Sequence, residues 1–274
     1  MTWPILWSAE TPKRRASLQS VSKTKKSRLD QLLVERGLAE TRTRAQALIM
    51  AGLVTSETRR LDKPGLQVAD DISLNVKGPD HPWVSRGGVK LAHGLAHFHI
   101  EAKGRICLDI GASTGGFTDV LLSAGAGKVY AVDVGQGQLA WKVSQDERVV
   151  VLDKTNARRL SAEEVPEPVD LIVCDASFIG LETLLPAPMA LANPKSQAGA
   201  HLIALIKPQF EVGKGNVGKG GIVRDAALHQ EVCVRIESWL NGQAPWRALG
   251  ITESPLTGAD GNKEFLIAAV LEEG

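Results

Sequence analysis

No stretch of the 274-residue sequence approaches the ~18 consecutive apolar residues that a membrane-spanning helix needs, so a helical membrane protein is not expected. Cysteine is scarce. The three present, Cys107, Cys174 and Cys233, are odd in number, far apart and set among apolar neighbours, a pattern of buried free thiols in a reducing compartment. The apolar opening, Met1 to Trp7, has no basic segment before it, and Lys13, Arg14 and Arg15 follow it, so it is not read as a secretion signal. Cytoplasm is the expected location. There is no internal repeat, and the net charge is only +1.

What is present is unevenly spread. Residues 1–90 carry 16 Lys and Arg against 9 Asp and Glu, leaving 16 against 22 for the remainder. A basic front end suits a polyanionic partner. Residues 1–27, rich in Ser, Lys and Arg without apolar periodicity, are expected to form a mobile basic arm. From Arg28 the texture changes. Leu29, Leu32 and Leu33 mark one helical face, and Gly37 stands at a C-cap. Thr41 or Thr43 can cap a second helix carrying Ala45, Leu48 and Ile49 inward, with Gly52 at its end. Leu53 and Val54 begin a strand, Pro64 and Gly65 make a turn, and Ile72 to Val76 alternates like a half-buried strand.

The run R-L-D-x-L-L-V-x-R-G-L-A-x-T-R-x-x-A-x-x-L-I-x-A-G-x-V, with K-P-G beyond it, resembles the RNA-binding domain named after ribosomal protein S4. The resemblance implies an α+β domain over residues 28–78 that offers basic side chains to RNA phosphates, here Arg28, Arg36, Arg42, Arg44 and Lys63, with Arg86 beyond the linker at 79–84. One departure is visible: Thr55, Ser56 and Glu57 replace the usual Asn- or Asp-Gly turn after the first strand.

From Arg105 apolar runs at Ile106–Ile110, Val129–Val132, Val149–Leu152, Leu171–Val173, Leu202–Ile206 and Phe265–Leu271 alternate with helical segments. This predicts an α/β fold over residues 85–274, a doubly wound parallel sheet with its ligand at the C-terminal strand ends. Asp109-Ile110-Gly111-Ala112-Ser113-Thr114-Gly115-Gly116-Phe117 is a strand entering a small-residue loop that opens a helix, which lets a cofactor approach the backbone. Asp133, about 20 residues on, stands where an acidic side chain grips ribose hydroxyls. The spacing is not the dinucleotide fingerprint, so S-adenosylmethionine is favoured over NAD. Gly213 to Gly220 nearly matches a phosphate-binding loop, but Gly220 lacks the hydroxyl that binds Mg²⁺. His93 and His97 lack a further ligand at a recognised spacing, so no metal is expected. Lys90, Asp175, Lys207 and Glu264 are dispersed charges, three of them beside apolar strands, where a charge needs a partner or a purpose.

Together, G-A-S-T-G-G-F-T-D-V-L-L, D-V-G-x-G-Q-L-A-W, T-N-A-R and K-P-Q-F-E-V-G-K-G resemble the hemolysin A (TlyA) family, whose catalytic domain is similar to FtsJ-type ribose 2′-O-methyltransferases of Rossmann-like fold. The resemblance implies methylation of a cytidine ribose in ribosomal RNA within ribosomal subunits, with Lys90, Asp175, Lys207 and Glu264 as a catalytic tetrad. It implies S-adenosylmethionine contacts at Asp109, Gly111, Ala112, Ser113, Gly115, Gly116, Phe117, Asp133, Asn156, Asp175 and Phe178. Lys207 is read as a general base or as a fixed charge that orients the hydroxyl, with the base preferred. The end at Gly274, just past the last strand, favours the large subunit as target; the basic arm pulls the other way. A non-catalytic ribosome-assembly factor and a membrane-active hemolysin are the alternatives. Oligomeric state is open.

Overall fold

Leu29, Leu32, Leu33, Ala45, Leu48 and Ile49, picked out by helical spacing, bury against one another and against Val54, Leu61 and Val68 in the computed structural model. The structure describes residues 25–39, 41–57, 59–77, 81–258 and 260–272, and the chain divides into two units after Asp80. Residues 1–24, and with them most of the expected arm, lie outside the described residues.

The first unit runs β1 (Lys26–Arg28), α1 (Leu29–Glu35), α2 (Arg42–Met50), β2 (Val54–Ser56), β3 (Arg59–Arg60), β4 (Gln67–Ala69) and β5 (Asn75–Val76). The Thr41 hydroxyl accepts the Arg44 N–H at 3.2 Å and caps α2. Two small antiparallel sheets form, β1 with β4 and β3-β2-β5. Two expectations need correction. Lys26 and Ser27, assigned to the arm, are part of β1. The strand expected from Ile72 shrinks to β5, because the Ile72 N–H turns back onto the Ala69 carbonyl and interrupts the run.

The second unit continues with α3 (Gly87–His97), β6 (Ile106–Ile110), α4 (Gly116–Ser123), β7 (Lys128–Val132), α5 (Trp141–Ser144), β8 (Val149–Leu152), β9 (Leu171–Cys174), α6 (Leu181–Leu184), α7 (Pro186–Met189), β10 (His201–Ile206), α8 (Pro208–Glu211), α9 (Ala226–Asn241), β11 (Trp246–Glu253) and β12 (Phe265–Leu271). Its seven-stranded sheet has the order β11-β12-β10-β9-β6-β7-β8. The five strands from β10 to β8 are parallel, as the alternating pattern predicts. β12 runs antiparallel to both neighbours. No helix lies between β11 and β12, and without a crossover the chain can only return antiparallel. β11 itself goes unread in the sequence: it is an edge strand without regular burial alternation, and its ladder shifts at Gly250.

Both faces of the sheet are covered. Leu91 and Leu95 of α3 and Phe117 and Leu121 of α4 pack on one face with Val129, Leu171 and Ile203. Leu181, Leu185, Ile236 and Leu240 pack on the other with Leu108, Ile172 and Leu202. Trp83 and Val84, expected in the linker, belong to this unit: Trp83 joins the first of these clusters, and the Val84 N–H donates to Asp119 at 2.8 Å. All three cysteines are buried and free, and burial pushes the thiols of Cys107 and Cys174 up to about 12, so neither is a nucleophile. Among the described residues no helix is long and apolar enough to cross a membrane.

Candidate active site

The parallel strands β6, β7, β9 and β10 end on one edge, and the loops that leave them build two adjoining clefts. β6 is followed by Gly111, at φ 78°, where a Cβ would sit 3.0 Å from the Ala176 backbone. This close approach lets the loop after β6 lie beside the loop after β9. Gly116 opens α4 against the start of α3: a Cβ there would fall 2.1 Å from the Ser85 hydroxyl and 2.9 Å from the Gly88 nitrogen. The glycines of this loop therefore serve packing of the loop as well as access to the backbone.

One cleft, of about 550 Å³, collects the whole dispersed constellation. Lys90, Asp175, Lys207 and Glu264 line it together with Gly111, Ala112, Ser113, Thr114, Gly116 and Phe117. The four charges form two ion pairs. Lys90, in the first turn of α3, reaches Glu264 at 2.5 Å, and both are buried. Lys207, which leaves β10 and precedes α8, lies 2.6 Å from an Asp175 carboxylate oxygen, 3.0 Å from the Ser177 hydroxyl and 3.3 Å from the Asp175 carbonyl. Its ammonium therefore faces three acceptors, while the second lysine of the cleft, Lys90, is engaged by Glu264.

The second cleft, of about 630 Å³, shares Gly111, Ser113, Asp175, Ser177 and Phe178 with the first and extends past Asp133 to Asn156. The Asp133 carboxylate accepts the Ser113 N–H at 2.8 Å on one oxygen and the Gly135 N–H at 2.7 Å on the other, leaving lone pairs for a ligand. Asn156 lines the same wall while its side chain accepts the Arg158 N–H at 3.2 Å. Phe178 is 89% exposed, sits at φ 66° and contacts Phe210, with ring centroids 5.0 Å apart. A non-glycine residue held at positive φ costs on the order of 1–3 kcal/mol and concentrates at functional loops.

Asp109 behaves differently from its expected role. It is fully buried beneath the loop, accepts the Thr118 hydroxyl at 2.6 Å and lines neither cleft. Burial pushes its carboxyl up to about 7, with the nearby Asp175 charge adding to the rise and Thr118 opposing it. Gly115 sits in the left-handed region at φ 94° and also lies off the cleft walls, packed on Leu139 and Val143. The clefts also bring in residues not singled out in the sequence: Ser85, Ser177, Gln209, Phe210, Thr257 and Asp260. Gln209 and Phe210 stood inside the motif K-P-Q-F-E-V-G-K-G, and Ser177 follows Asp175 by two positions, but nothing in their spacing marked them.

The basic residues of the first unit are less free than their charge suggests. Asp30, fully buried, receives Arg28 at 3.0 Å on each oxygen, and one of these oxygens also receives Arg42 and Gln46 at 2.9 Å each. Arg36 donates to the Ile72 carbonyl at 2.5 Å and to the Asp70 carbonyl. Arg44 and Lys63 are exposed, and in the second unit Arg86 is exposed on the wall of the first cleft. The loop around Gly213 to Gly220 forms a short 3-10 turn and does not open a helix, unlike a phosphate-binding loop. His93 and His97 stack at 5.9 Å, and among the described residues no three His, Cys, Asp or Glu side chains gather as a metal cage.

With this geometry in place, the comparisons with known proteins agree with one another. Residues 83–271 match the FtsJ-like methyltransferase model, and residues 27–71 match the S4 domain. A Bacillus subtilis protein, YqxC, described as a candidate rRNA methyltransferase, is 49% identical over 245 residues, 89% of this chain and 85% of its own length. The Mycobacterium tuberculosis 16S/23S rRNA (cytidine-2′-O)-methyltransferase TlyA is 46% identical over 244 residues, 89% of each chain. A solved structure of a hemolysin candidate from Streptococcus thermophilus superposes with a TM-score of 0.70 at 39% identity, covering 92% of this chain and 90% of that one.

Proposed function

Because the chain belongs to the FtsJ-like methyltransferase family, of the TlyA type with an S4 domain, we propose that it methylates the ribose 2′-hydroxyl of a cytidine in ribosomal RNA. The observation that carries the reading is the meeting of Lys90, Asp175, Lys207 and Glu264 in one cleft that opens into a second cleft bearing Asp133. Each cleft is of ligand size. S-adenosylmethionine supplies an electrophilic methyl group when bound. The donor set fits it: Asp133 has carboxylate lone pairs for ribose hydroxyls, Asn156 lines the far wall, and the loop Gly111 to Phe117 offers close backbone.

The chain's own task is chiefly positioning, since an in-line displacement demands alignment more than acid–base chemistry. Lys207, facing three acceptors, is arranged as a fixed charge: it orients the attacking hydroxyl and stabilises the alkoxide character the oxygen gains as its proton passes to solvent water, the new C–O bond forming as the methyl–sulfur bond breaks. This favours the orienting role over the general base preferred from sequence. Asp175 holds Lys207, and the Lys90–Glu264 pair lines the same cleft without leaving a lone buried charge. Arg44 and Lys63 are the free phosphate contacts of the S4 domain, Arg86 serves at the cleft, and Arg28, Arg36 and Arg42 support the fold of their unit as well as its charge. Ribosomal RNA is the substrate class, in the cytoplasm where ribosomes are found.

The test is transfer of labelled methyl from S-adenosylmethionine to isolated large and small ribosomal subunits, with Lys207→Ala beside the wild type. Label in RNA that falls ~100-fold or more in the variant supports the reading. No transfer to either subunit, with S-adenosylmethionine still bound, would favour an assembly factor.

A further inference from the structure

Each buried charge of the catalytic cleft has a partner, yet one buried polar atom does not. The side-chain oxygen of Gln209 is buried with neither a hydrogen bond nor an ion pair, although Gln209 lines the same cleft as Lys207 and Glu264. Among the described residues it is the only such atom on that wall: the Asp175 oxygen that likewise lacks a hydrogen bond lies 2.6 Å from the Lys207 ammonium. Native proteins rarely leave a buried amide oxygen unsatisfied, so this one calls for a donor, from ordered water or from a bound ligand. Gln209 is also held in place. It lies in α8, whose first residue is Pro208; Phe210 beside it contacts Phe178, and Glu211 accepts the Leu181 N–H at 2.8 Å and Arg235 at 3.0 Å.

We infer that Gln209 is a specificity-determining residue that reads the base of the target nucleotide, its buried oxygen accepting the exocyclic amine of cytosine. This rests on the proposed function and deepens it. In a nucleotide the base is attached to the carbon next to the one bearing the reacting hydroxyl. A ribose placed against Lys207 therefore brings its base within reach of a residue two positions further along the same short segment. Cytosine presents an amino donor beside a ring-nitrogen acceptor, which matches the oxygen and the amide N–H₂ of a glutamine. Uracil presents a carbonyl in place of the amine, so two acceptors would meet at the buried end. A site built around a hydrogen bond discriminates strongly against the analogue that cannot make it.

The test uses the full-length protein and ribosomal subunits carrying either cytidine or uridine at the methylated position. The wild type should favour cytidine roughly tenfold or more in kcat/KM. Gln209→Ala should lower kcat/KM on cytidine by about tenfold and bring the two nucleotides close to parity. Gln209→Glu, which sets a second acceptor where the amide N–H₂ faced the cytosine ring nitrogen, should lose the preference for cytidine. S-adenosylmethionine affinity and Tm, measured on the same variants, should stay near wild type, which separates base reading from misfolding. An unchanged cytidine-to-uridine ratio in Gln209→Ala, or an equal fall on both nucleotides, would overturn the inference while leaving the methyltransferase reading intact. A wild type that methylates neither RNA would overturn the proposed function itself.

Discussion

Lys207 and Asp175 are separated by 32 positions in sequence and by 2.6 Å in space, and the chemistry proposed here rests on that pair and its neighbour Lys90–Glu264. If Lys207 acts as a fixed charge, Lys207→Arg retains turnover within about tenfold of wild type while Lys207→Ala does not; an arginine variant as dead as the alanine one would restore the general-base role. The second pair separates stability from catalysis. Glu264→Ala strands a buried ammonium and should cost about 3 kcal/mol, read as a fall in Tm. The double variant Lys90→Met, Glu264→Leu should recover most of that stability without recovering turnover. Asp109 gives a pH signature. Its carboxyl, ordinarily near 3.8, is raised to about 7 in the folded state, so the folded protein holds the proton more tightly than the unfolded chain does. Its contribution to stability is complete below pH ~4 and declines as pH rises towards ~7. Asp109→Asn should flatten the fall of Tm between pH 4 and 7; an unchanged slope would show that Asp109 does not titrate there.

Strand and helix positions were largely legible in the sequence because apolar runs bounded by glycine report burial directly. Each of the six runs read from Ile106 onward is a strand of the central sheet. The antiparallel direction of β12 and the edge strand β11 were not legible, since strand direction depends on what connects two strands and an edge strand need not alternate. The tetrad came from motif resemblance; spacing alone could not have joined Lys90 to Glu264, 174 positions apart. Gln209 was hidden for a related reason, because only the folded cleft reveals that its oxygen lacks a partner. Within the S4 unit, sequence marked arginines by charge, whereas the fold divides them by engagement. Arg28, with Arg42 and Gln46, holds the Asp30 carboxyl well below the usual carboxylate range against the cost of its burial. That support is present above pH ~4 and is lost as pH falls through the depressed folded value. Arg28→Ala should therefore lower the Tm of this unit, with Arg42 and Gln46 left to hold the buried carboxylate. Arg44→Ala should leave stability unchanged while weakening RNA binding and reducing its salt dependence by about one ion. Equal effects of the two on RNA binding at matched stability would contradict this division.

At the scale of the molecule, the division after Asp80 separates the unit bearing the exposed Arg44 and Lys63 from the unit with the clefts. A chain of residues 81–274 is expected to bind S-adenosylmethionine as the full protein does and to lose methylation of ribosomal subunits, because phosphate contacts supply much of the affinity for RNA. Calorimetry and methyl transfer on the same preparation check both halves of that expectation. Ribosomal RNA treated with the protein and S-adenosylmethionine, digested to nucleosides and resolved by mass spectrometry, should gain 2′-O-methylcytidine in the wild type and not in Lys207→Ala. A methyl group found on a base, or no new methylated nucleoside from an enzyme that binds S-adenosylmethionine, would contradict the account.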